Sequence, residues 1–300
     1  MPVFNGERYI AEAVSSVLAS HFRDFELLVL DDGSKDRSIA EATRAAAGDA
    51  RVRVIALPHG GVATTRNAGL AAAAGDLIAN LDADDAMFPD RLTRQAAYLE
   101  RHPDCVAVGS RALVVDATGK PLRIGVRLFS HEEIDDAHLE GRGGAIWNST
   151  AAFRKASAVS VGGYEAGLHT TGEDHDLWLR MAETGRLANL PEVLVRYRIH
   201  DANASIGPGK AEQRLPVTLG TLGRAFSRRG ITNRKPAKLK APPPAAWERR
   251  CDAALLRYYS GDRRGAIVPA LLAWLSHPAH SATRSAVRTI LTRRPPRRLG

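Results

Sequence analysis

Apolar positions follow two different periodicities along residues 1–100. Ile10, Val14, Val17 and Leu18 recur with the period of a helix that buries one face, which predicts a helix over 7–20. Short continuous apolar runs are typical of buried strands. These runs and the segments between them predict strands at 25–30, 52–57 and 77–81 and helices at 39–47, 60–74 and from Pro89 onward. Strands that alternate with helices predict an α/β fold with a doubly wound, mostly parallel sheet.

From Cys105 onward the pattern is less regular, and helices dominate after residue 207. The sequence predicts strands at 106–108, 112–115, 146–154 and 194–199, a loop over 123–145, a turn at 162–163 and helices at 174–184, 247–259 and 266–275. A Lys- and Pro-rich stretch at 235–244 predicts an extended linker. We therefore expect an α/β domain over 1–206, a basic helix and Pro-rich linker over 207–246, and a basic helical region over 247–300.

Composition limits the class of protein. The 300 residues are 44% hydrophobic and 25% charged, which are ordinary values for a globular chain. No run of apolar residues is long enough for a transmembrane helix, and Met1 to Arg8 lack the pattern of a secretory signal. Two distant cysteines, Cys105 and Cys251, exclude a cysteine-based metal cluster and argue against a disulfide scaffold. We expect a cytoplasmic protein.

The net charge of +9 is distributed unevenly. Residues 1–206 contain 22 Lys and Arg against 29 Asp and Glu, whereas residues 207–300 contain 20 basic and 4 acidic residues. The first part is therefore acidic, at −7, and the second is strongly basic, at +16. This division favours chemistry in the first part and contact with an anionic partner through the second.

Acidic residues follow two of the predicted strands. Ligands of open α/β sheets bind beyond the carboxyl ends of the strands, where Asp31-Asp32 and Asp82-Ala83-Asp84 would lie. Two carboxylates one residue apart can hold one Mg²⁺ or Mn²⁺, which would neutralise a diphosphate leaving group. A solvated turn after a strand explains Asp82 and Asp84 equally, and an Asx turn explains Asp31 and Asp32.

Four further positions have both a functional and an ordinary explanation. Arg66 is either a surface arginine or a bidentate ligand of a nucleotide diphosphate. Glu173 and Asp174 precede a predicted helix, where acids stabilise the helix dipole, and one of them could instead be a general base. His200 is either a loop histidine or a neutral ligand to a cation.

Six motifs taken in order resemble the signature of family 2 glycosyltransferases. They are Pro2-Val3-Phe4-Asn5-Gly6, Asp31-Asp32-Gly33-Ser34-x-Asp36, Arg66-Asn67-x-Gly69, Leu81-Asp82-Ala83-Asp84-Asp85, Gly172-Glu173-Asp174-x-Asp176-Leu177-Trp178-x-Arg180 and Tyr197-Arg198-x-His200. The resemblance covers about 200 residues. It implies the Rossmann-like GT-A fold, here with a C-terminal helical extension, a nucleoside-diphosphate sugar donor and inversion at the anomeric carbon.

The resemblance also implies roles for individual residues. The donor-binding residues would be Pro2, Asp31, Asp32, Arg66 and Asp82. A divalent cation, Mg²⁺ or Mn²⁺, would be held by Asp82, Asp84 and His200, with Asp84 the more direct ligand. Asp174 would be the general base. Family members usually have an apolar strand before the Pro-Val-Phe-Asn motif, so we expect the natural start to lie upstream of Met1.

The expected function is metal-assisted transfer of a sugar from a nucleoside-diphosphate donor, which we expect to be UDP-linked. The acceptor would be a hydroxyl of a glycan or a lipid-linked acceptor, in polysaccharide biosynthesis at the cell envelope. Rival interpretations are an aspartyl-nucleophile phosphohydrolase, whose motif Ala86 does not match, and a nucleotide-sugar- or polyanion-binding protein that acts through its basic tail. Nucleic acid is a poor match for that tail, because few aromatic residues accompany its basic ones. The tail would either contact an anionic membrane surface, at the inner face, or pack on the acidic body.

Overall fold

A computed structural model describes residues 1–168, 172–203, 210–232, 243–293 and 295. The chain begins with a parallel three-stranded sheet in the order β1-β2-β3. Its elements are β1 (Pro2–Val3), α1 (Ile10–Leu18), β2 (Leu27–Asp31), α2 (Ser38–Ala46), β3 (Val52–Ala56) and α3 (Val62–Ala72). Val3 is paired with Asp31, and Asp31 with Ala56, so the three strands end together at one edge.

A second sheet has the order β4-β8-β6-β9-β5, with β7 paired to β6. Its strands are β4 (Leu77–Ala79), β5 (Ala86–Met87), β6 (Cys105–Val115), β7 (Pro121–Gly125), β8 (Ala152–Arg154) and β9 (Arg186–Arg198). The helices among them are α4 (Arg91–Arg101), α5 (His131–Leu139), α6 (Lys155–Ser160) and α7 (Glu173–Met181). The buried Trp178 packs in the core beneath this sheet, edge-on to Phe153.

The predicted α/β class is confirmed, but the strand directions are mixed rather than mostly parallel. In the described ranges, β1·β2, β2·β3 and β6·β9 are parallel, whereas β4·β8, β5·β9, β6·β7 and β6·β8 are antiparallel. The turn at 116–119, closed by Gly119 at φ +85°, joins β6 to β7. A connection this short permits only antiparallel neighbours, because parallel strands need a long crossover.

Three predictions for the middle of the chain are wrong. The strand predicted at 146–154 is limited to β8, because Asn148–Thr150 form a short 3₁₀ turn. The strands predicted at 106–108 and 112–115 form one continuous β6, because Gly109, Ser110 and Arg111 are also buried in the sheet. The loop predicted over 123–145 contains the end of β7 and the helix α5. Ser130 and Glu133 form a capping box at the start of α5, a signal that is visible in the sequence.

The remaining helices pack on the body. They are α8 (Lys210–Arg229), α9 (Ala246–Tyr259), α10 (Arg263–Ser276) and α11 (Ser281–Thr292). Helix α8 packs against α5 and α7, and α9 to α11 pack against the second sheet. Residues of α9 and α11, among them Cys251 and Ala286, share a core with Leu113 of β6 and Ile124 of β7. Packing on the body, one of the two interpretations of the tail, is therefore observed for these helices. Most of the predicted linker at 235–244 lies outside the described residues.

An ion-pair network joins α9 to the second sheet. Asp252 accepts hydrogen bonds from Arg111 of β6 and from Arg127, whose Nη2 lies 2.6 Å away. Arg111 is 2% exposed.

Within the described part of the chain, no helix is both long and apolar enough to cross a membrane.

Candidate active site

The acidic pair after β2 organises the loop that leads into α3. Asp32 accepts hydrogen bonds from the backbone N–H groups of Gly60, at 2.8 Å, and Gly61, at 3.1 Å. Asp31 accepts one from the Ser34 N–H at 3.1 Å through Oδ2, while its buried Oδ1 has no hydrogen-bond partner. Asp31 therefore keeps one acceptor atom available at the strand end, whereas Asp32 is occupied by the backbone.

An exposed aromatic residue lies beside this pair. Phe4 is 49% exposed and stacks on His59, with ring centroids 4.5 Å apart and an interplanar angle of 26°. His59 Nδ1 lies 2.9 Å from the carbonyl oxygen of Asp32. Sequence reasoning did not single out these two rings. The signal that could have found Phe4 is a large apolar side chain between the β1 strand and Asn5-Gly6, in a segment with no helical period.

Arg66 connects three distant parts of the chain. Its guanidinium is buried, lies 2.7 Å from Asp82 Oδ1 through Nη2 and forms an ion pair with Glu173 through Nη1. Burial alone would lower the pKa of Arg66, but the charges of Asp82 and Glu173 outweigh it and raise the pKa. Arg66 is therefore a permanent, buried cation between the segment after β4 and the start of α7.

The segment after β4 carries three carboxylates, Asp82, Asp84 and Asp85, of which Asp85 is buried and the other two are half-buried. The Asp82 backbone N–H donates to Ser149 Oγ at 2.8 Å, which fixes the segment beneath the side chains. Asp85 is buried, and its Oδ1 accepts a hydrogen bond from the Arg198 backbone N–H at 2.8 Å. Burial, together with the neighbouring charges of Asp84 and Asp82, raises the pKa of Asp85 well above its usual range.

Asp84 faces a different set of partners. Its Oδ2 lies 3.0 Å from His200 Nε2 and accepts a hydrogen bond from Asn203 Nδ2 at 3.1 Å. Burial and the nearby charge of Asp82 raise the pKa of Asp84. A positive charge beside Asp84 would oppose that shift. Asn203 is a further site residue that the sequence did not indicate.

The donor set suits a hard divalent cation, although its members are not gathered around one point. In the described ranges, no group of three or more His, Cys, Asp and Glu side chains is arranged to hold a metal ion. Asp82 points to Arg66, and Asp84 points to His200. Carboxylate oxygens and a neutral imidazole are ligands that Mg²⁺ and Mn²⁺ accept, so the residue types fit while the arrangement lacks a closed shell.

The first two acids of α7, Glu173 and Asp174, have separate environments. Gly172, at φ +84°, precedes the helix, and neither acid caps its N-terminus through a side-chain hydrogen bond to the N-cap position. The Glu173 side chain is buried against Arg66, whereas Asp174 is only half-buried and accepts a hydrogen bond from the His175 N–H at 2.7 Å. Burial raises the pKa of Asp174, and the charge of Arg66 opposes that shift.

The structure thus brings together Arg66, Asp82 and Glu173, and separately Asp84 and His200. Asp31 and Asp32 lie at the carboxyl end of β2, and Pro2 of β1 pairs with Leu30 of β2. Asp32, Asp82, Asp84 and His200 lie on segments that follow strands, and Glu173 begins α7. Arg66 lies within α3, and Pro2 and Asp31 lie within strands, so the fold fixes all of these backbones.

Sequence comparison places the chain among known enzymes. The model of glycosyl transferase family 2 matches residues 1–159. The putative glycosyltransferase EpsE of Bacillus subtilis is 34% identical over 202 residues, which cover 66% of this chain and 71% of that protein. The amylovoran biosynthesis glycosyltransferase AmsE of Erwinia amylovora is 33% identical over 175 residues, or 58% of this chain and 64% of that protein.

Solved structures support the fold. S. aureus TarS in complex with UDP-GlcNAc superposes with a TM-score of 0.55 at 17% identity, covering 96% of this chain and 88% of that one. The mannosyltransferase PcManGT from Pyrobaculum calidifontis, in complex with GDP-Man and Mn²⁺, superposes with a TM-score of 0.53 at 17% identity, covering 97% and 85%. The predicted GT-A fold with a helical C-terminal region is confirmed, and the chain is a glycosyltransferase that belongs to glycosyl transferase family 2.

Proposed function

We propose that the protein is an inverting transferase that moves a sugar from a nucleoside-diphosphate donor, UDP-linked, to a hydroxyl of a glycan or lipid-linked acceptor. The observation that carries the proposal is the buried Arg66, which ties Asp82 to Glu173 and so sets the carboxylates after β4 beside the start of α7. In this arrangement the Arg66 cation and the two carboxylates would serve diphosphate recognition, and the neighbouring half-buried Asp174 would serve as a base.

The nucleoside would bind at the edge where β1, β2 and β3 end. Asp31 Oδ1 is a buried acceptor without a partner, so a base N–H or a ribose hydroxyl would satisfy it. The exposed Phe4 ring offers an apolar face to a planar base, and His59 supports it from behind. Asp32 would act by holding the Gly60-Gly61 backbone in place, and Pro2 by directing the chain into Phe4.

Asp82, Asp84 and His200 would hold the divalent cation, Mg²⁺ or Mn²⁺, together with oxygens of the donor diphosphate. When bound, such a cation neutralises the negative charge that develops on the leaving diphosphate. A cation held by both Asp84 and His200 would take the place of the hydrogen bond that joins their side chains. The structure of the mannosyltransferase PcManGT, which contains GDP-Man and Mn²⁺, supports a nucleoside-diphosphate sugar bound together with a divalent ion.

Asp174 would accept the proton of the acceptor hydroxyl. The acceptor oxygen forms its bond to the anomeric carbon as the bond from that carbon to the diphosphate oxygen breaks, which inverts the configuration. Glu173 cannot serve equally, because its side chain is engaged with Arg66. Arg66 keeps its charge throughout, since its pKa is raised, and it therefore positions Asp82 and Glu173.

The acceptor is proposed to be a growing polysaccharide. AmsE carries amylovoran biosynthesis in its name, and a hyaluronan synthase of Pasteurella multocida is 25% identical over 240 residues, covering 77% of this chain and 23% of that protein. These names support a polysaccharide product without selecting the sugar.

The test is a donor screen on the purified chain that follows release of the nucleoside diphosphate. We expect UDP-sugars to be turned over, with Asp84→Asn and excess chelator each removing most of the turnover. Asp104→Asn, an exposed acid far along the chain at the start of β6, is the matched control and should keep full activity. Undiminished turnover in chelator would overturn the metal assignment, and absence of turnover with every nucleotide sugar would overturn the function.

A further inference from the structure

Helix α10 is apolar on two opposite sides. Its inner side consists of the buried Ala266, Ala270 and Ala273, which pack among α9, α11 and the sheet. Its other side carries larger apolar residues at helical spacing, which we name the α10 outer face: Val268, Leu271, Leu272 and Leu275. Val268 is 63% exposed and Leu275 is 67% exposed. The fully buried residues of α10 are thus alanines, whereas Val268, Leu271, Leu272 and Leu275 face outward.

The large residues of the α10 outer face are 38–67% exposed, so they lie at the margin of the core rather than within it. An exposed contiguous stripe of this kind marks an interaction surface rather than scattered surface leucines. Within α10, Pro269 lacks the N–H that would bond to Gly265, and Arg257 Nη1 lies 3.4 Å from the Gly265 carbonyl instead. The helix is therefore supported from its inner and lateral sides, while Val268 and Leu275 of the α10 outer face stay exposed among the described residues.

Arginines border this face. Arg264 precedes Val268 by one helical turn on the same side and is exposed. Arg249 and Arg250 of α9 are exposed and line a groove of about 390 Å³ together with Pro269 and Leu272. No Asp or Glu occurs between residue 263 and residue 300, a stretch that contains eight arginines. Apolar side chains and guanidinium groups therefore share one surface, and residues 263–300 contribute no acidic residue to it.

We propose that the α10 outer face and its bordering arginines bind the surface of an anionic lipid bilayer. Leucine and valine side chains would enter the boundary between headgroups and acyl chains, while the guanidinium groups bind lipid phosphates. The proposal does not depend on the sugar or on the reaction. It deepens the sequence-based expectation by selecting α10 and excluding the inner side of the tail, which is buried against the sheet.

A second copy of the chain is a poorer occupant. A two-fold symmetric contact places the same patch of each copy against the other. Arg249, Arg250 and Arg264 of one copy would then meet the same arginines of its partner, which is unfavourable. An anionic bilayer instead complements both the charge and the apolar stripe.

The experiment is co-sedimentation of the full chain with vesicles of phosphatidylglycerol and phosphatidylcholine, compared with vesicles of phosphatidylcholine alone. The test variant is Leu272→Ser/Leu275→Ser, and the control is Val159→Ser/Leu219→Ser, which changes two exposed apolar residues elsewhere. We expect the test variant to bind mixed vesicles at least about tenfold more weakly, since each buried leucine contributes strongly, and the control to bind as the parent chain does.

The charge contribution is tested separately. Arg249→Gln/Arg250→Gln should weaken binding about fivefold per arginine, and Arg101→Gln on α4 should not change it. Circular dichroism and release of nucleoside diphosphate should be unchanged in all variants, which separates failure of this proposal from failure of the proposed reaction.

Three results would overturn the proposal. One is equal binding of the test and control variants to mixed vesicles. Another is binding to phosphatidylcholine alone as tight as to the mixed vesicles. The third is a concentration-dependent dimer in lipid-free buffer that Leu272→Ser/Leu275→Ser abolishes, which would assign the face to a second copy of the chain.

Discussion

Removal of the Asp252 carboxylate should destabilise the whole protein, although Asp252 lies far along the chain from the catalytic motifs. Asp252 on α9 is the acidic partner of Arg111, whose guanidinium also lies 3.5 Å from Cys251 Sγ. Arg111 Nε has no hydrogen-bond partner. Asp252→Ala therefore leaves a buried cation against the shared core of β6 and α9.

The magnitude follows from the burial of the pair. Arg111 is 2% exposed, and the Asp252 side chain is 14% exposed. Removing one partner of a buried ion pair costs about 3–5 kcal/mol, because the other charge remains buried without compensation. Single domains have roughly 5–15 kcal/mol of stability in total, so the loss is a large share. A chain of this size should lose roughly 2 °C in Tm per kcal/mol, or about 6–10 °C.

The assay is urea unfolding followed by tryptophan fluorescence, with thermal unfolding as a second probe. Glu41→Ala is the control, because it breaks the exposed Glu41–Arg44 pair on α2 and should leave the midpoint unchanged. Adding Arg111→Met to Asp252→Ala removes the unpaired charge and should recover at least half of the lost stability.

A loss below about 1 kcal/mol for Asp252→Ala would refute this reasoning, since exposed pairs contribute no more than that. A full loss that Arg111→Met does not reduce would show that packing of α9, rather than charge, carries the effect.

Three further outcomes are expected. In initial-rate measurements, Asp174→Asn should lower kcat about a hundredfold or more and leave the KM for the donor unchanged. Glu173→Gln should also weaken donor binding, because it releases Arg66 from its ion pair. A larger effect of Glu173→Gln than of Asp174→Asn on kcat would reverse the two roles. His138 is buried, neither of its ring nitrogens has a partner, and burial lowers its pKa well below the usual value, so it is neutral when folded and protonates on unfolding below about pH 6.5. The free energy of unfolding therefore falls as the pH falls below that value, because the unfolded chain then binds one more proton than the folded chain. In urea titrations, His138→Phe should reduce the difference in free energy of unfolding between pH 7.5 and pH 5.5 by up to about 1.4 kcal/mol. An unchanged difference would contradict this. Phe4→Ala should raise the KM for the nucleotide sugar several-fold with little change in Tm, because the ring is exposed, whereas an unchanged KM would remove it from the donor site.

The elements that the sequence predicted well are those whose burial pattern is local. Strand β2 and helix α1 were located within a few residues, since continuous or periodic apolar positions reflect burial directly. Strand β6 was divided in two because Gly109 and Ser110 interrupt the apolar run, yet both are buried where β9 and the Asn148–Thr150 turn approach. Close approach of another segment is a tertiary fact that an apolar pattern does not record.

The basic tail shows a different limit. Summing charges over 207–300 predicts one electrostatic character for the whole segment. In the structure, Asp252 forms ion pairs with arginines of the body, and Arg229 of α8 forms one with Asp135 of α5. The same segment thus contains helices that complete the fold and a helix face that does not. Net charge cannot separate these two roles, whereas the placement of small and large apolar residues on α10 can.

The site itself was predicted as a set of positions but not as a set of contacts. Glu173 and Asp174 are adjacent, and the sequence gives no reason to assign them different roles beyond the resemblance. The difference arises from Arg66, which lies 107 positions earlier and forms an ion pair with Glu173. Because successive residues of a helix point about 100° apart, only one of the two acids can face Arg66. Among the described residues, the other acid, Asp174, forms no ion pair, which leaves its carboxylate available for the proposed role of a base that takes and releases a proton.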